Sequence, residues 1–284
     1  MKSKDRLSIL PREHSLQLQL AIAAFGCIDA DSIVYISTPV TTGKRLYEYM
    51  KKKGLKTPDA AKADKEEFYK NVISLNIQDS LAWAKIWRTK TKGAIIAPAE
   101  FEKCRALGDI KWSQDAFMGM WLTLIDNKAT ALIMQDGWVY SDGAAEEYLQ
   151  AICMQAGLRQ RNNIHVMDTA GRQINLDEGI ISLAEAFKDL HQRGLSPERL
   201  AKTLTRLLLL EERHAAGHLS GEIKTAPSLP VYEREPLLEV KKEVMTILKK
   251  NHGKLLAALE KQRSAEYTPL NILVHPEDEN LLLL

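Results

Sequence analysis

The chain has 284 residues, 45% of them hydrophobic, and a formal net charge of +2. That length suits one large domain or a domain with a substantial appendage, and the composition is that of a folded protein with an ordinary core. The near-neutral balance shows no basic stripe of the kind that recognises a polyanion, so nucleic acid is not an expected partner. No stretch approaches the roughly 18 apolar residues of a membrane span, so no membrane association is expected.

Cys27, Cys104 and Cys153 lie far apart and form no CxxC pair, which reads as reduced, buried thiols in a cytoplasmic protein. Residues 1–15 lack a long apolar run and a cleavage-site pattern, so no signal peptide is expected.

In chain order, residues 12–26 read as an amphipathic helix with Leu16, Leu18, Leu20, Ala21 and Ala24 on its apolar side. The β-branched run at 32–37 predicts a buried parallel strand, stopped by Thr38-Pro39. A helix follows over 42–53, with Gly54 as its C-cap, and a longer one over 63–90. The second strand is 93–97, closed by Pro98; residues 98–112 form a loop with a short helix, and a helix spans 114–127. The third strand is 129–134. After the loop QDGWVYSDG come a helix over 143–156 and a fourth strand over 163–167. Strands alternating with helices of this length predict βαβ units: an α/β, three-layer, mainly parallel Rossmann-like (flavodoxin-like) sheet. Ligands of such sheets bind at the carboxyl ends of the strands.

The chain divides into an N-terminal helical segment (1–30), the α/β domain (31–175) and a helical C-terminal region (176–284). In the last, helices are expected over 177–193, 196–215 and 234–263, with a Pro-rich linker at 225–236.

Three segments could carry chemistry. The turn after the first strand contains Thr38, Thr41, Thr42 and Gly43, followed by Lys44 and Arg45. Small residues at a helix start can offer backbone N–H groups to an anion, but the same residues also suit a plain capped helix. The string is not a Walker A loop, which needs Gly at 38 and Ser or Thr at 45. The second segment is Trp112-Ser113-Gln114-Asp115, where Ser113 can cap the next helix and Asp115 could accept sugar hydroxyls. The third follows the third strand: Trp138, Ser141, Gly143, Glu146 and Glu147. Glu147 shares a helical stripe with Ala151, Met154 and Leu158, so it should face the strand ends, while Glu146 should face solvent. Tyr35, Trp112, Trp138 and Tyr140 lie near strand ends, where they can pack in the core or stack on a base. His214 and His218, four residues apart and without an evident third ligand, make a poor metal site. No metal and no cofactor is expected.

Together these segments resemble the nucleoside 2-deoxyribosyltransferase-like superfamily, which includes nucleotide N-glycosidases. The resemblance covers residues 32–167. It rests on Val34-Tyr35-Ile36-Ser37-Thr38-Pro39, on Asp115 before a helix, and on Ser-x-Gly-x-x-x-Glu-x-x-x-Ala, filled by Ser141, Gly143, Glu147 and Ala151. The chain departs from the family pattern in carrying Thr38 where Gly is frequent and in a longer stretch between Asp115 and Glu147.

What the resemblance implies is cleavage of an N-glycosidic bond of a nucleoside or nucleotide, by hydrolysis or transfer. Glu147 would attack or stabilise the sugar C1′, and Asp115 would hold sugar hydroxyls. Tyr35 and Trp138 would line the base pocket, with Trp112 a further stacking candidate. Ser141 and the Thr41–Gly43 turn would bind a 5′-hydroxyl or phosphate. A homo-oligomer is expected on the same ground. Two alternatives stand beside this: a glycohydrolase of an NAD-type dinucleotide, and a non-catalytic nucleotide-sensing module whose helical region is the interaction part.

Overall fold

A computed structural model of the protein describes residues 23–28, 32–105, 114–159, 161, 163–195, 197–219, 221, 223, 239, 241–250, 253 and 257, with the side chains of 102–105 and 114–116 excluded. Most of the expected first helix and the linker at 225–236 lie outside these residues, as does the Cys104 side chain; Cys153 is buried as expected, but Cys27, at the end of a short helical stretch, is exposed.

Four parallel strands form the sheet: β1 (Ile33–Ser37), β2 (Ala94–Ile96), β3 (Ala129–Met134) and β4 (His165–Asp168), in the order β2-β1-β3-β4. All five residues of β1 are buried, as a central strand covered on both faces requires. Alternation along the strands separates two layers. Val34, Ile36, Ala131 and Ile133 face one side and pack with Ala84 and Trp87. Ile33, Tyr35, Leu132 and Met134 face the other and join the larger cluster, with Ile125 and Ile152. The architecture is thus a Rossmann-like three-layer α/β fold.

The helices between β1 and β2 are α1 (Lys44–Lys53), α2 (Pro58–Ala63), α3 (Lys65–Phe68) and α4 (Ser74–Lys90). The helix expected over 63–90 is broken at its start and slips in phase. The Thr57 and Asp64 side chains accept from Ala60 N and Glu67 N, so two helices are capped in succession. A π-helical turn, Tyr69–Ile73, then joins α3 to α4. The wider turn lets Phe68 and Val72 bury on one side while Ala84 and Trp87 reach the sheet.

Helices α5 (Pro98–Arg105) and α6 (Gln114–Lys128) precede β3, and α7 (Asp142–Gln155) links β3 to β4. Beyond β4, α8 (Leu176–Gln192) and α9 (Glu198–Ala215) pack on each other, and α9 packs on α7. Leu183, Phe187, Leu200 and Leu204 belong to the same cluster as Tyr35 and Ile152, and so do Val244 and Leu248 of the helical stretch 241–250. The helical region therefore shares the α/β core. Its close approach depends on Gly179: a Cβ there would lie 2.0 Å from the Tyr148 hydroxyl, which donates to the Asn175 carbonyl at 2.9 Å. Asn175 and Glu178 complete a capping box at the start of α8.

Candidate functional site

In the order β2-β1-β3-β4 the chain leaves β1 for one side of the sheet and takes up β3 on the other. The carboxyl ends of β1 and β3 therefore flank the crevice where open α/β sheets bind ligands. Ser37 ends β1 in register with Met134 at the end of β3, and the Gln135 N–H extends the ladder by donating to the Ser37 carbonyl at 3.0 Å.

Glu147 reaches this point from the second turn of α7. Tyr35 and Ser37, two residues apart on one face of β1, aim at its carboxylate. The Tyr35 hydroxyl donates to Oε1 at 2.5 Å and the Ser37 hydroxyl to Oε2 at 2.6 Å. Glu147 is 5% exposed, whereas Glu146 is intermediate. Burial pushes the Glu147 carboxyl up to about 7; the Ser37 and Tyr35 hydrogen bonds oppose the rise and nearby Glu146 adds to it. Desolvation thus outweighs two charge-assisted hydrogen bonds. Burial, with the adjacent carboxylate second, raises the Tyr35 phenol well above its usual range, which keeps it a donor. The Tyr35 ring is held edge-on by Trp121 of α6, with centroids 6.1 Å apart.

Two loops are stitched together beside this carboxylate. The Gly43 N–H donates to the Tyr140 carbonyl at 3.1 Å, and the Thr42 and Ser141 hydroxyls share a 2.9 Å hydrogen bond. Ser141 also caps α7, accepting from Ala144 N. From α4, the buried Asn76 amide donates to the carbonyls of Val40 and Thr42. Arg45 donates to Asn76 and pairs with Asp79 at 2.9 Å. Gly43 has φ 90°, and a Cβ there would lie 2.5 Å from the Pro39 Cβ, so the turn requires glycine. The Gly43 amide and the Arg45 guanidinium are therefore engaged within the protein, while Lys44 is exposed.

The other expected positions are distributed as follows. Thr38 is buried and accepts from Ser80 of α4 at 3.2 Å, on the opposite sheet face from Glu147. Thr41 is partly exposed. Gly143 faces Met118 of α6, whose Sδ would lie 3.2 Å from a Cβ at that position. Trp138 is 7% exposed and packs on Tyr148, with centroids 4.7 Å apart. The Tyr140 hydroxyl donates to Asp189 of α8 at 3.2 Å, and its ring lies 6.3 Å from that of Tyr47, centroid to centroid. Trp112 and the Asp115 side chain lie outside the described residues.

A cavity of about 340 Å³ opens at the carboxyl edge between β3, β4 and α8. Its inner wall includes Met134, Trp138 and Ile174; its polar groups are Asp136, Asp168, Arg172, Glu178 and Ser182. Arg172 pairs with Asp168 at 3.1 Å and with Glu178 at 2.8 Å. Asp136 accepts from the Thr169 hydroxyl at 3.3 Å. Glu147, Tyr35 and Ser37 do not line this cavity, but Ser37, Met134 and Asp168 stand in register across three adjacent strands.

The polar groups of the cavity and the clamping role of Ser37 were not read from the sequence. The two-residue spacing of Tyr35 and Ser37 in a strand was the available signal for Ser37. The cavity had none, because its lining is assembled from the ends of β3 and β4, the loops that follow them and the first turns of α8. Among the described residues, no group of three or more His, Cys, Asp or Glu is arranged to hold a metal ion, and no helix is long and apolar enough to cross a membrane. No family model, curated protein or solved structure matches the chain.

Proposed function

We propose that the protein cleaves the N-glycosidic bond of a nucleoside or nucleotide, with Glu147 as the nucleophile at the sugar C1′ and water or a second base as acceptor. The observation that carries this reading is a single buried carboxylate at the β1/β3 crevice, gripped through both oxygens by Tyr35 and Ser37. Such a grip fixes the carboxylate in one orientation, which favours attack on a bound electrophile. Its two donors also stabilise the charged form when C1′ develops oxocarbenium character, the logic shared by glycoside-cleaving carboxylates. The loops joined through Thr42, Gly43, Tyr140 and Ser141 form the rigid rim beside it.

A second reading, a nucleotide-binding module without turnover, is favoured by the offset between the open cavity and the Glu147 carboxylate. One experiment separates the two. The protein is incubated with a panel of nucleosides, nucleotides and NAD, and free base is measured by chromatography. Base release that vanishes in Glu147→Gln supports the glycosidase. Saturable binding with no release supports the binding module.

A further inference from the structure

Glu147 is 5% exposed and does not line the cavity between β3, β4 and α8. A carboxylate that reacts with a bound molecule needs a way in. Helix α6 leads directly into β3, and α7 runs from the end of β3 back to the start of β4. Both helices therefore begin at the carboxyl edge, and they pack along each other. Glu147 lies one turn, about 6 Å, deeper than Gly143 on the same stripe of α7. The seam between the first turns of α6 and α7 thus runs from the rim down to the carboxylate.

Among the described residues, Met118 of α6 fills that seam at its rim end. It is 7% exposed and lies on Gly143: a Cβ there would stand 3.2 Å from its Sδ and 3.9 Å from its Cε. One turn deeper on the same face of α6, Trp121 meets the ring of Tyr35, whose hydroxyl clamps Glu147. The backbone does not demand glycine at 143. Its φ is not positive, and alanine would favour the helix. What the missing side chain provides is a close seat for the thioether. Methionine is unbranched and has three rotatable bonds, so the sulfur can leave this seat while α6 stays in place.

We infer that Met118 is a gate over Glu147. With the thioether on Gly143, the carboxylate is shut away from water. When the side chain swings aside, a slot opens between α6 and α7, floored by the bare backbone of Gly143 and walled by Trp121, and a substrate enters against Glu147. The inference rests on the reading of Glu147 as a nucleophile. It makes the turning of one side chain, with no loop or domain movement, the condition for turnover.

The test reads access to Glu147 without a substrate. The full chain is treated at mildly acid pH with a water-soluble carbodiimide and an amine, and labelling of the Glu147 carboxyl is timed by peptide mass spectrometry. Asp59, whose side chain is 97% exposed, calibrates the reagent. Three variants are compared with the wild type. Met118→Ala removes the gate, and Met118→Ile keeps a similar volume but is stiff at χ1. Met120→Ala opens a comparable hole at another buried position of α6. The expected result is labelling on the order of fivefold faster in Met118→Ala, slower in Met118→Ile and unchanged in Met120→Ala. A Met118→Ala rate no faster than the wild type, or matched by Met120→Ala, overturns the gate. So does Met118→Ile labelling as fast as the wild type. Base release from the nucleoside and nucleotide panel is measured on the same proteins. Glu147-dependent release with unmoved labelling rates sinks the gate alone. The expected labelling order with no base released by any protein sinks the glycosidase reading and leaves the gate.

Discussion

Glu147 and the Asp168–Glu178 pair stand at the same sheet edge and are treated in opposite ways. Glu147 is withdrawn from water and, among the described residues, receives hydroxyl donors only, and its carboxyl is raised to about 7. Asp168 and Glu178 at the cavity mouth stay partly exposed and are matched by Arg172. A carboxylate whose sole task is structural is most cheaply kept wet and paired with a cation, as the mouth does. The seat of Glu147 carries a desolvation cost that no cation among the described residues offsets, a pattern that belongs to sites of chemistry more than to scaffolding.

The largest effect should come from removing the carboxylate. Glu147→Gln keeps the shape and one acceptor oxygen, so one of the Tyr35 and Ser37 hydroxyls still donates while the other must turn to accept from the amide NH2. It should lower base release by at least about 10³-fold with the fold intact by circular dichroism. A Gln variant that retained most of the activity would reduce the seat to scaffolding.

The next effect is on stability against pH. The Glu147 carboxyl rises from an ordinary 4.5 to about 7 on folding, so the folded state binds more protons than the unfolded one between those values. The contribution is fully present below about 4.5 and is lost as pH rises through about 7, amounting to roughly 3 kcal/mol. Denaturation of the wild type should therefore show a loss of stability over this window that Glu147→Gln lacks. In the same window activity should rise with pH, because the ionised form is the nucleophile. Parallel stability curves for the two proteins would contradict the burial of this charge.

Tyr35→Phe keeps the ring against Trp121 and removes one donor to Oε1. A hydrogen bond to a charged group contributes about 1.5–3 kcal/mol, so kcat/KM should fall about 10- to 100-fold. The pH at which activity rises should also move upward, since the lost bond was holding the carboxyl down. A fall in rate with an unmoved pH profile would assign Tyr35 to packing alone. The smallest effect belongs to the mouth. Arg172→Ala removes two exposed ion pairs and should leave the melting temperature essentially unchanged. A marked drop would show that the two kinds of carboxylate are less different than their surroundings suggest.

Much of this was legible in the linear chain because it depends on local periodicity. The β-branched run at 32–37 forms β1, and the stripe through Glu147, Ala151 and Met154 turns that carboxylate inward. The α/β class follows from alternating strand and helix patterns, whose boundaries differ from the expected ones by one to three residues at most strands and helices. The break and π-helical turn between 57 and 74 were not visible. Thr57 and Asp64 had to compete with the apolar repeat as caps, and the sheet settled the phase.

Sequence alone determined which residues can form strands and helices and which face of α7 is apolar, because these follow from side chains a few positions apart. Only the tertiary structure decided that Tyr35 and Ser37 meet Glu147 across more than a hundred residues, that Gly43 and Arg45 are engaged by Tyr140 and Asp79, and that Thr38 turns to the far face. The same holds for the cavity walled by β3, β4 and α8. Those arrangements depend on strand order and register, which bring distant segments together and have no counterpart in the spacing of residues along the chain.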